Sequence, residues 1–155
     1  MTQTHILPCS ALPFIPHEPP MALVDTIVEC DADKITTQIR LHETHLFAQN
    51  GCIPIWVGIE FMAQSAAAWS GFNAQKNTAA ADYQAPIGFL LGTRDYACHQ
   101  AHFNVGDVLT VHAECLLQSS EGLGSFDCRV LNQDGVLMAQ ARLSVYQPRT
   151  DSTVQ

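Results

Sequence analysis

The chain has 155 residues, of which 47% are hydrophobic and 14% charged, so we expect a single domain over residues 1–155 with a substantial core. Fifteen acidic side chains against seven basic ones give a net charge of −8, which argues against nucleic acid or an anionic membrane as partner. Six scattered cysteines without a CxxC pair, and an N-terminus without a signal-peptide pattern, predict a cytoplasmic protein with reduced thiols.

The N-terminal third of the chain predicts an irregular segment followed by a hairpin. Five prolines within residues 1–20 prevent a long helix there. Residues 21–29 are largely apolar and predict a strand. Residues 34–41 alternate apolar and polar side chains, which is typical of a half-buried strand. We expect these two strands to pair, and residues 42–52 to form a polar loop.

Residues 55–71 predict the central helix of the fold. Its apolar side chains cover every face, which indicates a buried helix. Pro54 suits a first helical turn, and Gly71 is a natural stop. Glu60 and Gln64 interrupt the apolar run and lie four positions apart, so they share a face. A carboxylate carried into a core is costly unless it is paired or neutral, which makes Glu60 the first candidate functional residue.

The last part of the chain predicts a loop and then mostly strands. Residues 72–85 are expected to form the loop, Gly92 marks a bulge or a close backbone approach, and residues 147–155 are polar and frayed. A turn at 132–135 joins the final pair of strands. The predicted strands cover 86–98, 109–117, 126–130 and 137–145.

One buried helix and one sheet with a single apolar face predict a sheet that wraps around the helix. This α+β arrangement is the hot-dog fold. Such a sheet leaves edge strands exposed, and pairing across a two-fold axis would cover them. We therefore expect a dimer.

Three segments resemble bacterial beta-hydroxyacyl-acyl carrier protein dehydratases. PHEPPMALVD at 16–25 resembles the PH dipeptide and apolar strand with which those enzymes open. IPIWVGIEFMAQ at 53–64 resembles their central helix, in which Gln follows the acid four positions later. Together with GFLLGTR at 88–94, the helix looks most similar to the dehydratase-like proteins of aryl-polyene pigment clusters. The resemblance covers residues 12–146.

The resemblance implies a hot-dog homodimer, or a larger oligomer, with active sites at the subunit interface. At each site a His from the loop before the helix meets the helix Glu of the other subunit. The implied reaction removes water from a 3-hydroxyacyl thioester to give a trans-2-enoyl thioester, in fatty-acid or aryl-polyene biosynthesis. The acyl chain would arrive on the phosphopantetheine arm of an acyl carrier protein, so neither a cofactor nor a metal is expected. A second dehydratase subunit is a further candidate partner.

His45 and Glu60 are the catalytic pair that this resemblance implies. Elimination needs a base for the proton alpha to the thioester carbonyl, and neutral imidazole suits that role. It also needs an acid for the departing hydroxyl, and a carboxyl in an apolar pocket suits that role. His45 lies fifteen residues before Glu60, whereas the GHFPG-type loop of common dehydratases places its His one residue closer. In the alternative register the slot falls on Gln49 or Asn50, and no base stands there.

Substrate binding is predicted at the start of the helix, where backbone N–H groups can polarise the thioester carbonyl. The absence of a side chain at Gly58 would allow close approach. Gln64 is predicted to orient its neighbours by hydrogen bonding, and His17 to anchor the N-terminal segment or to contribute to the site. The backbone groups are those of Ile55, Trp56, Val57 and Gly58.

Arg94 is predicted either to meet the phosphopantetheine phosphate or to pair with Asp95. Because acyl carrier proteins are acidic, a local basic surface is expected at the docking site despite the net charge, with Lys76 as the second candidate. Two HxxH pairs, at 42–45 and 99–102, lack a further ligand at metal-binding spacing, so they predict no zinc site.

Two other functions fit the same pattern. A hot-dog thioesterase would use the helix acid and a water molecule to hydrolyse the acyl thioester. A non-catalytic partner subunit of a dehydratase would bind acyl groups without turnover, and this interpretation gains weight if His45 lies outside the site.

Overall fold

The computed structural model of the protein describes residues 5–76 and 85–148. Within these ranges, one long helix and nine strands make up the regular structure, together with two short 3-10 turns. The elements are β1 Cys9–Ser10, β2 Thr26–Cys30, β3 Lys34–Arg40, β4 Cys52–Pro54, α1 Gly58–Gln75, β5 Phe89–Cys98, β6 His102–Asn104, β7 Val108–Gln118, β8 Leu123–Leu131 and β9 Leu137–Tyr146.

Seven of the strands form one antiparallel sheet in the order β1-β2-β3-β7-β8-β9-β5, and α1 packs against it. The helix contacts β2, β3, β5, β7, β8 and β9. Alternate residues of the strands, such as Leu109, Val111 and Ala113, point into this contact and are buried. β4 and β6 form a separate two-stranded ribbon that leads into the helix. The predicted hot-dog arrangement, a sheet wrapped around one helix, is confirmed.

The central helix is longer than its sequence pattern predicts. A 3-10 turn at Ile55–Val57 precedes it, and it continues through Gly71 to Gln75, so the predicted stop at Gly71 is wrong. A glycine inside a helix costs only about 1 kcal/mol, which tertiary packing can outweigh. Phe72 supplies that packing, because it is buried with its ring 5.3 Å from the ring of Phe14.

The helix is also not buried on every side. Ala63, Ala67 and Ser70 are half-buried and follow one another along the same face as Glu60. The prediction of an all-round buried helix is therefore wrong for this face, which borders a groove instead of the sheet.

Each predicted strand is present with shifted ends, and the short strands β1, β4 and β6 were not predicted. β2 begins at Thr26 and not at residue 21, because the backbone of Met21 and Leu23 bonds to a side chain of α1 instead of a neighbouring strand. β5 is one continuous strand with a bulge between Leu90 and Gly92. A side chain at Gly92 would meet nothing within 4 Å, so the predicted bulge is confirmed and a close approach is not.

The predicted turn between the final strands is confirmed. The Asn132 side-chain oxygen accepts the backbone N–H groups of Asp134 and Val136, and Gly135 has a φ of +76°. Parts of two other predictions, the loop at 77–84 and the tail at 149–155, lie outside the described residues. No helix within the described ranges has both the length and the apolar character needed to cross a membrane.

Candidate active site

Gln64 connects α1 to the N-terminal segment and to Glu60. Its side-chain oxygen accepts the Leu23 backbone N–H at 2.8 Å, and its nitrogen donates to the Met21 carbonyl oxygen at 2.8 Å. The same nitrogen donates to Oε1 of Glu60 at 3.2 Å. These partners fix the amide orientation. In a flipped amide, the NH₂ group would face the Leu23 N–H, and the amide oxygen would face the oxygens of Met21 and Glu60, so no hydrogen bond could form. The prediction that Gln64 orients its neighbours agrees with this geometry.

Glu60 stands on the first turn of α1 and opens onto solvent. Its side chain is 35% exposed, so the predicted placement in an apolar interior is wrong for the isolated chain. The prediction rested on the apolar residues next to Glu60 in the sequence. The exposure of its side chain depends instead on which face of the helix the sheet covers. Oε1 is held by Gln64, and among the described residues no hydrogen bond reaches Oε2.

His17 is the second ionisable side chain at this position. Its Nε2 lies 3.7 Å from Oε1 of Glu60, and the side chain is 30% exposed. Its Nδ1 is buried and has no hydrogen-bond partner among residues 5–76 and 85–148. The structure therefore places His17 beside Glu60. Of the two roles predicted for this residue, anchoring the N-terminal segment or contributing to the site, this position fits the second.

His17 and Glu60 both line a groove of about 1540 Å³ that follows α1. The helix side of the groove extends from Glu60 to Ala74, which corresponds to roughly 20 Å at 1.5 Å per residue. Apolar residues at the ends of β5, β8 and β9 line the opposite side. These include Phe89, Leu90, Leu123 and Val145. The groove is large enough for an extended acyl chain, with the carboxyl group of Glu60 on its wall.

His45 lies in the loop before the helix, where the sequence places it, but it does not line the groove. Its Nδ1 accepts the Phe47 backbone N–H at 3.1 Å, and its ring packs edge-on against Phe61. Burial lowers the pKa of His45 below its ordinary value of 6.5, partly offset by the charge of Asp25, so the neutral ring is favoured. Nε2 is buried without a partner among the described residues.

The Phe47 contact has a consequence for the predicted role of His45. A neutral ring that accepts a hydrogen bond at Nδ1 carries its proton on Nε2. In this conformation Nε2 is therefore a donor, and His45 cannot accept a proton there. Gln49 and Asn50, the alternative slot, are exposed in a tight turn closed by hydrogen bonds between Gln49 and Cys52.

The start of the helix differs from the predicted carbonyl-binding site. Gly58 is buried, and a Cβ there would collide with the Tyr96 hydroxyl and lie 3.2 Å from Cζ of Phe103. Its N–H already donates to the carbonyl groups of Ile55 and Trp56. Tyr96 and Phe103 thus occupy the position beside Gly58 where a close approach of the thioester was predicted. Substrate binding by the backbone of Ile55, Trp56 and Val57 stays a prediction.

Tyr96 and Trp56 complete the helix start. Tyr96 donates its hydroxyl to the Ile55 carbonyl, and burial raises its pKa, which keeps it protonated. Trp56 is 57% exposed and packs edge-to-face against Phe47, so the buried helix predicted over 55–71 does not hold at this side chain, while Trp69 is buried. Val57 is fully buried. The sequence gives no signal for Tyr96 beyond an aromatic residue on a strand.

Arg94 is exposed on β5, directly opposite Arg142 on β9. No ion pair joins Arg94 to Asp95 within the part of the chain that the structure describes. Asp95 has a φ of +55° at a register shift of the strand. Lys76 is exposed just beyond α1, with its amine 4.9 Å from the centre of the Phe72 ring. The structure thus leaves both predicted docking cations accessible, on separate elements.

Comparison with known proteins agrees with the sequence motifs. Residues 9–155 match the family model described as ApeP-like, ApeP dehydratase. The chain is 30% identical over 139 residues to 3-hydroxyacyl-acyl-carrier-protein dehydratase FabZ of Bartonella quintana, covering 86% of this chain and 84% of that protein. The Brucella ovis FabZ is also 30% identical, with 86% and 83% covered.

Solved structures give the same result for the fold. A chain of the dehydratase heterocomplex ApeI:P from Xenorhabdus doucetiae superimposes with a TM-score of 0.82 at 29% identity, covering 94% of each chain. A hypothetical thioesterase with coenzyme A from Streptococcus pneumoniae has a TM-score of 0.57 at 14% identity, covering 78% of this chain and 83% of the other. At that identity the likeness extends to the fold alone.

Proposed function

Because the chain belongs to the ApeP-like dehydratase family, we propose that it removes water from a 3-hydroxyacyl thioester carried on an acyl carrier protein. The product is the trans-2-enoyl thioester, as in fatty-acid or aryl-polyene biosynthesis. The FabZ relatives, named for this reaction, support the substrate class. The observation that carries the proposal is Glu60, a carboxyl held from one side by Gln64 on the wall of an acyl-sized groove.

Glu60 is the acid in this mechanism. The reaction breaks the C–H bond alpha to the thioester carbonyl, and its electron pair forms the new C=C bond as the C–O bond to the hydroxyl breaks. The proton on Glu60 passes to the departing hydroxyl, which leaves as water. A positioned general acid of this kind contributes about 10²- to 10⁴-fold.

The group that removes the alpha proton is not in place in this chain as it stands. Either His45 changes its conformation, or a second chain supplies the base. Burial favours the neutral ring of His45, but that ring can accept a proton at Nε2 only after it gives up the Phe47 contact and its Nε2 proton. Alternatively, a second dehydratase subunit supplies the base that removes the alpha proton, and Glu60 of this chain acts as the acid. The similarity to a chain of a dehydratase heterocomplex favours this second arrangement.

We propose that the β5 edge joins two subunits. β5 ends the seven-stranded sheet, so one side of its backbone has no neighbouring strand among the described residues. Ile87, Phe89 and Leu91 are each more than half exposed along this edge. An exposed apolar edge strand is an association surface, and pairing with a like or related subunit would cover it.

The docking of an acidic carrier protein is proposed at Arg94 and Lys76. Both cations are exposed, and neither forms a salt bridge with a carboxylate within the described ranges. Charge reversal at both sites should raise KM for a carrier-linked substrate and leave turnover of the same acyl group on a pantetheine thioester unchanged. Reversal at Arg40, which is equally exposed on β3, is the matched control.

The test of the function is turnover of a 3-hydroxyacyl carrier-protein thioester, followed by mass spectrometry of the products. We expect the enoyl thioester, with at least a roughly 100-fold loss in Glu60→Gln. His99→Ala, on an exposed His away from the groove, should retain full activity. Appearance of the free acid instead would favour the thioesterase alternative.

The same assay separates the two sources of the base. If the purified chain turns over alone and His45→Ala is at least roughly 100-fold slower, His45 is the base. If the chain binds substrate without turnover, and addition of a second hot-dog dehydratase subunit restores turnover that still depends on Glu60, the base comes from the partner.

A further inference from the structure

We propose that His17 is a positioning residue for Glu60, holding one carboxyl oxygen so that the other delivers the proton. The proposal rests on the dehydratase function proposed above and assigns a role within the same chain, whichever subunit supplies the base. It starts from the 3.7 Å approach of His17 Nε2 to Glu60 Oε1.

The N-terminal segment holds His17 in place from both sides. Phe14 and Ile15 are buried before it, and Leu23 and Val24 are buried after it. Between these anchors the Glu18 carbonyl accepts two backbone N–H groups, at 2.8 and 3.1 Å, which closes a turn. The Gln64 bonds to Met21 and Leu23 then fix the end of the segment against α1.

Two groups therefore converge on the same oxygen of Glu60. Gln64 donates to Oε1 from one turn further along the helix, and His17 approaches Oε1 from the N-terminal segment. In a carboxylic acid the oxygen that accepts hydrogen bonds is the carbonyl oxygen, so the proton resides on the other one. Gln64, which donates to Oε1, and the nearby His17 thus favour the acidic proton on Oε2.

The approach of His17 to Glu60 contributes little to folding stability. Both side chains are about one-third exposed, and ion pairs between exposed groups contribute little to stability. Among the described residues, His17 makes no hydrogen bond that would otherwise explain its orientation. Its ring, moreover, lines the groove beside Glu60.

The experiment compares His17→Ala with His17→Gln in the turnover assay, using the subunit composition that is active for the wild type. We expect kcat to fall roughly 10- to 100-fold in His17→Ala with little change in KM, as is typical when a reacting group is displaced slightly. His17→Gln keeps a nitrogen donor and cannot carry a proton in the reaction, so it should recover most of kcat.

A double-mutant cycle tests whether His17 acts through Glu60. In the Glu60→Gln background, His17→Ala should cause no further loss, because the group that it positions is already gone. His99→Ala is the control for removal of an exposed His, and thermal unfolding of each variant checks that the fold is intact.

Three outcomes would overturn the proposal while the wild type remains active. One is full activity in His17→Ala. Another is a His17→Gln variant as slow as His17→Ala, which would indicate proton transfer by His17. The third is an independent, multiplicative loss in the Glu60→Gln background. A wild type that is inactive both alone and with a second dehydratase subunit would, by contrast, contradict the proposed function itself.

Discussion

The side-chain amide of Gln64 joins Glu60 to the backbone of the segment that precedes β2. It donates to Oε1 of Glu60 at 3.2 Å while accepting the Leu23 N–H at 2.8 Å, and the amide itself is fully buried. The orientation of the proposed acid is thus coupled to the seating of the N-terminal segment.

Replacement of Gln64 should affect stability and activity together. Gln64→Met leaves the buried Leu23 N–H without a partner and removes the donor to the Met21 carbonyl, which should cost about 1–3 kcal/mol in urea unfolding. Gln64→Glu adds a carboxylate next to Glu60 and should also lower kcat. If Gln64→Met matched the wild type in both unfolding and turnover, the amide would not couple Glu60 to the N-terminal segment.

The pKa of His45 should respond to its two charged neighbours. Burial lowers this pKa below 6.5, Asp25 raises it and His42 lowers it further. Asp25→Asn should therefore shift the titration of the ring to lower pH, and His42→Ala to higher pH, as measured by NMR of the ring protons. If His45 is the base, the acid limb of kcat/KM should move in the same directions. Opposite shifts would contradict the environment described for this ring.

Gly58→Ala should destabilise the protein, because its Cβ would enter the space of the Tyr96 hydroxyl and the Phe103 ring. Overpacking of this kind costs about 1–3 kcal/mol. Gly92→Ala is the matched control, since nothing lies within 4 Å of its Cβ position, and it should change stability by less than about 1 kcal/mol. Equal effects at the two glycines in urea unfolding would rule out the close approach at Gly58.

Leu91→Asp should weaken subunit association by placing a charge on the exposed β5 edge. Leu91 is 58% exposed and does not line the groove, so the change leaves the acyl site intact. Val136→Asp, at the exposed turn before β9, is the matched apolar-to-acid control and should leave association unchanged. Sedimentation velocity distinguishes the two. A Leu91→Asp protein that associates as the wild type does would place the interface elsewhere.

Folding stability should decline in mild acid through His112. Burial lowers its pKa below 6.5, assisted by Arg129 and Lys34 and opposed by Glu29. The unfolded chain then binds this proton more strongly than the folded one. Stability from this group is complete above about pH 6.5 and is lost as the pH falls through the lower folded-state pKa. His112→Gln should show a smaller decline between pH 7.5 and 5.0 in urea unfolding. An identical decline would assign it to other groups.

The helix shows where sequence reasoning succeeds and where it stops. Its existence and its pairing of Glu60 with Gln64 follow from a long apolar run and a four-residue spacing, both of which are local. Its end does not follow, because Gly71 is overridden by the packing of Phe72 against Phe14, residues far apart in the chain. The exposure of Trp56 likewise depends on the tertiary arrangement, which leaves more than half of this side chain uncovered.

The site was only partly predictable for the same reason. The PH dipeptide and the helix motif identify His17, Glu60 and Gln64 as residues to consider. No spacing indicates that His17 approaches Glu60 across 43 positions of chain, or that Phe47 donates to Nδ1 of His45 and so sets its tautomer. The occupation of the space above Gly58 by Tyr96, from a strand that follows the helix, is equally invisible in local pattern.

By itself the sequence determined the fold class, the central helix, the antiparallel strands and the dehydratase family, because periodicity and contiguous motifs are properties of neighbouring residues. Tertiary structure alone decided which face of the helix opens onto the groove, which histidine meets the acid and which oxygen of that acid is held. Those are relations between segments distant in sequence, and packing and hydrogen-bond satisfaction of the whole chain fix them.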